Sequence, residues 1–144
     1  MQFLVKLSKL LHWLPYELNA KVPDMQLQLC EAFEISYFDE GHQTIRLRRD
    51  NAPMSAPHDT GVKVTALLVI NKDNKGDKEY GEINLRHRIR REGELTKWDE
   101  SSFKLKHNQL LLMRARNVEY EIQAKKEKVF VVAMRMAGGR SAKY

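Results

Sequence analysis

The 144-residue chain is 42% hydrophobic and 31% charged, which is typical of one soluble globular domain and excludes wholesale disorder. A net charge of +6 and a pI of about 9.5 favour nucleic acid, an anionic membrane or an acidic protein surface as the partner. No apolar run reaches the roughly 18 residues that span a bilayer. Cys30 is the only cysteine, so no intrachain disulfide can form.

The single cysteine, together with the absence of a secretory signal sequence, predicts a reducing compartment, cytoplasmic or nuclear, and leaves peripheral membrane attachment open. Charge is distributed unevenly along the chain. Residues 101–144 hold ten basic and three acidic residues, so this segment carries +7 while residues 1–100 carry −1. The basic surface is therefore expected to include the C-terminal third.

Residues 2–14 predict the one convincing helix, because apolar residues recur there at three- and four-residue spacing. Pro15 is expected to end this helix, since the residue before a proline is displaced from the α region. With a linker up to residue 24, it forms an N-terminal unit, 1–24. Its apolar face is expected to pack on the domain, to lie in a membrane interface or to contact a partner. The residues assigned to membrane or partner contact are Phe3, Leu4, Leu7, Leu10, Leu11 and Trp13.

Alternating apolar residues then predict the strands of one β-domain, residues 25–136. The first half contains a long strand at 25–37 (or two strands divided near Glu31), a glycine turn at 39–42, a returning strand at 43–49 and a loop at 50–61. An apolar, central strand at 62–70 follows, and the polar run 71–78 leads into the next strand.

The strand at 79–91 carries the clearest functional signal. Its odd positions hold Ile83, Leu85, His87 and Ile89, and its even positions hold three arginines in a row, so one face is expected to meet a core and the other to present arginine. Arginine is the side chain best shaped to grip phosphate or carboxylate with two parallel hydrogen bonds.

Further strands are predicted at 103–107, 109–116, 118–124 and 129–136, followed by a flexible basic tail at 137–144. The turn signals recur every eight to twelve residues, a pattern typical of antiparallel sandwiches and barrels. We therefore expect an all-β or β-rich α+β fold, an antiparallel β-sandwich or barrel of about eight strands with one N-terminal amphipathic helix.

Motifs for catalysis are weak in this chain. The five histidines do not have the spacing of a metal site, no glycine-rich phosphate loop is present, and Glu31 beside Cys30 would not lower the pKa of that thiol as a nucleophile requires. His87 lies on the apolar face of its strand, where a core role is the simpler interpretation. We expect no enzymatic activity, no cofactor and no metal.

The favoured function is a non-enzymatic binding protein that contacts RNA or DNA phosphates through an arginine-rich sheet face. An alternative is a self-associating structural protein of the viral-matrix type, which would use the N-terminal helix and basic surface on an anionic membrane or a partner protein. A third possibility is that Glu82, Glu119 and Glu121 pair with the arginines and leave a solvated face. The candidate anion-binding residues are Arg46, Arg48, Arg86, Arg88, Arg90, Arg91, Lys104, Lys106, Arg114 and Arg116.

Overall fold

The computed structural model describes residues 2–28, 33–38, 43–48, 61–71, 79–89, 97–115, 118–124 and 129–138. The described part of the chain forms one long helix, one short 3-10 turn and eight strands. In chain order these are α1 (Gln2–Lys21), the 3-10 turn Pro23–Met25, β1 (Phe33–Phe38), β2 (Gln43–Arg48), β3 (Val62–Asn71), β4 (Glu79–Ile89), β5 (Lys97–Lys106), β6 (Leu110–Arg114), β7 (Val118–Ala124) and β8 (Val129–Ala137).

The strands form two four-stranded antiparallel sheets. The first sheet has the order β1-β8-β3-β6, and the second sheet has the order β2-β7-β4-β5. This arrangement confirms the predicted antiparallel sandwich of about eight strands with one N-terminal helix. It also confirms that β3 is a central strand, because β8 and β6 flank it on its two sides.

The main core lies between the two sheets. Leu67 and Val69 of β3 are buried against Ile83 of β4 and Ile122 of β7. The burial of Ile83 confirms that this residue of the arginine strand faces the core. Each fully buried aliphatic side chain of this kind contributes about 1.5 to 3 kcal/mol to folding.

A second core lies on the other face of the first sheet, where α1 covers β3 and β8. Leu7, Leu11 and Leu14 of the helix are buried in one cluster with Val132 and Met134 of β8. The described layers are therefore helix, first sheet and second sheet. Because the first sheet is covered on both faces, β3 and β8 are nearly continuous apolar runs rather than alternating ones.

The prediction that Pro15 ends the helix is wrong, because α1 continues to Lys21 with Pro15 inside it. An interior proline removes one backbone hydrogen bond and costs about 3 kcal/mol. Tertiary contacts offset this cost. Leu14 and Leu18, on either side of the proline, pack against the first sheet. Beyond them, Asn19 Nδ2 donates to the Leu27 carbonyl at 2.9 Å, and the Leu27 N–H donates to Asn19 Oδ1 at 2.7 Å.

The predicted strand at 25–37 is also shorter than expected. Met25 belongs to the 3-10 turn, Gln26 has a left-handed φ of 45°, and Leu27 forms an isolated bridge with Gly138. This turn breaks the period-two pattern at its start, residues 29–32 lie outside the described part of the chain, and within the described part the strand is Phe33–Phe38.

The ends of several other predicted elements differ from the structure. Residues 97–106 form one strand, longer than the predicted 103–107. Ala137 ends β8, and the Gly138 N–H donates to the Gly61 carbonyl at 3.1 Å, so the start of the predicted tail belongs to the sheet. The predicted segments at 39–42, 50–60, 72–78, 125–128 and 139–144 lie outside the described residues. In the described part of the chain, no helix is long and apolar enough to cross a membrane.

Candidate functional site

The second sheet brings most of the predicted basic positions together. β7 separates β2, which contains Arg46 and Arg48, from β4, which contains Arg86 and Arg88. β5, with Lys104 and Lys106, lies on the other side of β4. For the four arginines the structure describes the backbone, and Arg90, Arg91 and Arg116 lie outside the described residues.

The register of this sheet places acidic residues beside the arginine strand. Arg86 lies directly opposite Glu119 of β7 on one side and Glu100 of β5 on the other. Residues directly opposite each other on antiparallel strands share a face. Glu82, on the same strand, lies opposite Lys104. Of the glutamates in the solvated-face interpretation, Glu119 therefore lies beside an arginine position, whereas Glu121 lies opposite Asn84, and pairing of these glutamates with the arginines stays a prediction.

A β-bulge interrupts β2, the strand that contains Arg46 and Arg48. Ile45 lies opposite Ile122, whereas Arg48 lies opposite Tyr120, so β2 advances three residues where β7 advances two. Tyr120 is buried in the core between the sheets. Simple alternation would place Arg46 and Arg48 on one face, and the bulge interrupts that alternation between Ile45 and Arg48.

The remaining basic candidates lie on different sides of the molecule. Lys104 is exposed and Lys106 is partly buried, both in the second sheet. Arg114 is exposed at the end of β6 in the first sheet, opposite Val64 of the helix-covered face. Arg114 thus lies in a different sheet from the other described candidates, and contact of these positions with phosphate stays a prediction.

The helix residues predicted to contact a membrane or partner divide into two groups. Leu7 and Leu11 are buried between α1 and the first sheet, and Leu10 is partly buried against the same cluster. Trp13 is exposed on the other side of the helix. Of Phe3 and Leu4 the structure describes the backbone. Contact of Leu7 and Leu11 with a membrane or partner would require α1 to leave the first sheet.

An exposed apolar row on β1 was not singled out from the sequence. Phe33, Ile35 and Tyr37 occupy alternate positions of β1 and so share one face of the strand. Their side chains are 40%, 43% and 46% exposed. They lie on the helix-side face, opposite Met134, Val132 and Phe130 of β8. Among the described strands, β1 pairs only with β8, so its other edge has no strand partner there. The sequence contained the alternation, but the edge position is a property of the folded sheet.

Polar groups near the sheet ends have structural partners. His107 Nδ1 accepts a hydrogen bond from the Asn71 N–H at 2.9 Å, which joins the turn after β5 to the end of β3. Arg135 Nη2 lies 3.1 Å from Glu34 Oε2 across β8 and β1. The described residues contain no group of three or more His, Cys, Asp or Glu side chains that could hold a metal ion.

The sequence matches no protein-family model and none of the curated proteins. Among solved structures, it is similar to the Drosophila melanogaster CENP-C cupin domain, with 19% identity and a TM-score of 0.43 over 73% of this chain and 60% of that chain. A second crystal structure of that CENP-C domain gives 19% identity and a TM-score of 0.43, covering 73% and 58% of the two chains.

Drosophila melanogaster CENP-C bound to CAL1 is similar at the same level, with 18% identity and a TM-score of 0.43 over 73% of this chain and 64% of that chain. The chain therefore spans about three-fifths of the length of the solved structures to which it is similar.

Proposed function

We propose that this chain is a non-enzymatic structural protein that associates with a second copy of itself through β1. The observation that carries the proposal is the exposed row of Phe33, Ile35 and Tyr37 on a strand that pairs only with β8 among the described strands. Edge strands with exposed apolar side chains are templates for pairing with another chain, and soluble proteins usually protect them with charge, proline or bulges. β1 has no proline and no register shift, and its one charged residue is Glu34.

The composition of β1 favours a second copy as the partner. Two β1 strands that pair antiparallel about a two-fold axis at Ile35 place Phe33 opposite Tyr37 of the other copy, and Glu34 opposite Ser36. This register avoids placing like charges opposite each other, which destabilises a sheet. Within each copy, Glu34 Oε2 already lies 3.1 Å from Arg135 Nη2. Glu34 therefore brings little uncompensated charge to the interface between the two copies.

The aromatic rings add to this complementarity. Tyr37 already contacts Phe130 of β8, with ring centroids 4.7 Å apart. Pairing about Ile35 would extend this contact to Phe33 of the second copy and form an aromatic row across the interface. Cross-strand aromatic pairs contribute about 0.2 to 1 kcal/mol each. A single strand pair is a small interface, and we therefore expect a dissociation constant in the range of about 1 to 100 µM.

Replacing Ile35 by Lys is expected to abolish self-association. The side chain is 43% exposed, so the lone chain tolerates lysine, but at the two-fold axis two ammonium groups would face each other. Sedimentation equilibrium should give a mass that rises from 16.9 kDa toward twice that value for the wild type, and a constant 16.9 kDa for Ile35→Lys.

Leu112→Lys is the matched control, because Leu112 is 42% exposed on β6 at the opposite edge of the same sheet. This variant should associate like the wild type. The proposal fails if the wild type remains monomeric up to about 300 µM, well above the constant expected for a small interface. It also fails if Ile35→Lys and the wild type associate equally.

Nucleic-acid binding is a second candidate function. This candidate is supported by the position of β2, β4 and β5 in one sheet, which contains the backbones of Arg46, Arg86 and Arg88. Glu119 and Glu100, opposite Arg86, are expected to weaken phosphate contact there. We therefore expect sequence-tolerant, salt-dependent affinity rather than tight binding.

Replacing Arg86 and Arg88 together by Ala tests this candidate. If both contact phosphates, the slope of log affinity against log salt for a single-stranded RNA should flatten by about 1.4, since each contact contributes about 0.7. Fluorescence anisotropy at several salt concentrations measures that slope. The double variant Lys6→Ala/Lys9→Ala, on the distant helix, should leave the slope unchanged, and equal slopes for the wild type and the arginine variant would reject phosphate contact by this strand.

A further inference from the structure

The leucine face of α1 is occupied by the first sheet, and this leaves the opposite face of the helix outward. Three large apolar side chains are exposed on that face: Val5 at 50%, Trp13 at 57% and Tyr16 at 67%. Lys9 is four residues from both Val5 and Trp13, and Tyr16 is three residues beyond Trp13, so these side chains share one face of the helix.

The charge on this helix has one sign over most of its length. Lys6 and Lys9 are exposed, and residues 2–16 contain no aspartate or glutamate. The first acidic residue is Glu17, which is partly buried. A face that combines tryptophan, tyrosine and lysine fits the headgroup region of an anionic bilayer, where aromatic rings lie at the interface and lysines contact acidic lipid headgroups.

We infer that the outward face of α1, defined by Val5, Lys6, Lys9, Trp13 and Tyr16, binds the surface of anionic membranes. The helix lies flat on the bilayer and stays docked on the first sheet. Leu7 and Leu11, two of the six residues that the sequence assigned to this contact, instead hold the helix against the first sheet. Trp13, another of the six, is exposed, and the binding face lies opposite the leucine face of the helix.

The symmetry of the proposed pair would make this surface bivalent, and this extension rests on the proposed self-association. Antiparallel strands are related by a two-fold axis perpendicular to their sheet. Pairing of β1 with β1 therefore puts both copies of α1 on the same side of the joined first sheets. Two outward helix faces then approach one membrane plane together, and simultaneous engagement raises apparent affinity without any new contact.

Vesicle flotation tests the inference with the full chain. The probes are phosphatidylcholine vesicles with and without about 30% phosphatidylserine, a composition that gives the negative surface potential on which the lysines act. The wild type should float with the anionic vesicles and not with pure phosphatidylcholine. Lys6→Gln/Lys9→Gln should weaken partitioning about 25-fold, at about fivefold for each lysine. Trp13→Ala/Tyr16→Ala should weaken it by about tenfold or more, because both rings lose their interfacial burial.

Lys6→Arg/Lys9→Arg is the charge control, since it keeps both positive charges on the outward face of α1. It should leave flotation unchanged. Flotation of Lys6→Gln/Lys9→Gln equal to the wild type would overturn the inference, as would wild-type protein that stays unbound to anionic vesicles at low salt. A protein that sediments as a dimer but does not float refutes the membrane face alone, whereas a monomer that floats refutes self-association alone.

Discussion

Leu67→Ala is expected to lower the free energy of unfolding by about 3 to 5 kcal/mol. Leu67 is 1% exposed in the core between the two sheets, on a central strand with neighbours on both sides. Removing the Cγ methine and the two Cδ methyl groups there leaves a cavity that β3, paired to β8 and β6, cannot collapse to fill. Urea denaturation measures the loss, and the midpoint of thermal unfolding should fall by roughly 10 to 15 °C.

Leu112→Ala is the matched control for this core. It makes the same chemical change on the neighbouring strand β6, but Leu112 is 42% exposed. Its cost should stay below about 1 kcal/mol because less apolar surface returns to water. Equal losses for the two variants would contradict the burial of Leu67 between the two sheets and the exposure of Leu112.

Leu11→Ala is expected to lower the free energy of unfolding by about 2 to 4 kcal/mol. Leu11 is buried between α1 and the first sheet, in the cluster that contains Val132 and Met134. This prediction distinguishes two roles of the leucine face. If the face were held free for a membrane or partner, the truncation would leave the stability of the lone chain almost unchanged. A cost of several kcal/mol means that α1 is part of the folded domain.

Val5→Ala is the control within the same helix, since Val5 is half exposed on the outward face. Its effect should be within about 0.5 kcal/mol, because the small loss of burial is offset by the higher helix propensity of alanine. Denaturant titration of the two variants side by side measures the difference. Indistinguishable midpoints would show that the helix does not depend on its leucine face for docking.

The assignment of α1 to the domain also changes how the surface is interpreted. Hydrophobic periodicity identifies the side of a helix that prefers to leave water, but it does not identify what covers that side. In this chain the first sheet covers it, and Val132 and Met134 of β8 are fully buried beneath the helix. The large apolar residues available for an external contact are then those exposed on the outward face of the helix, with Trp13 and Tyr16 among them.

The arginine strand illustrates the same limit. Its period-two pattern was sufficient to predict a strand with Ile83 facing the core, and both features are confirmed. The pattern contained no information on which strands flank it. In the folded sheet Glu119 and Glu100, from two different strands, lie opposite Arg86, and the charge of that row depends on these neighbours.

The sequence by itself determined the β-class of the fold, the apolar run of β3, the alternation of β4, and the amphipathic character of the first helix. These are local properties, because the direction of each side chain depends on the period of its own segment. Only the tertiary structure decided that the helix passes through Pro15, that Arg114 is in a different sheet from Arg86, and that β1 lies at an edge. Such outcomes depend on contacts between residues far apart in the chain, and their free energies outweigh local preferences.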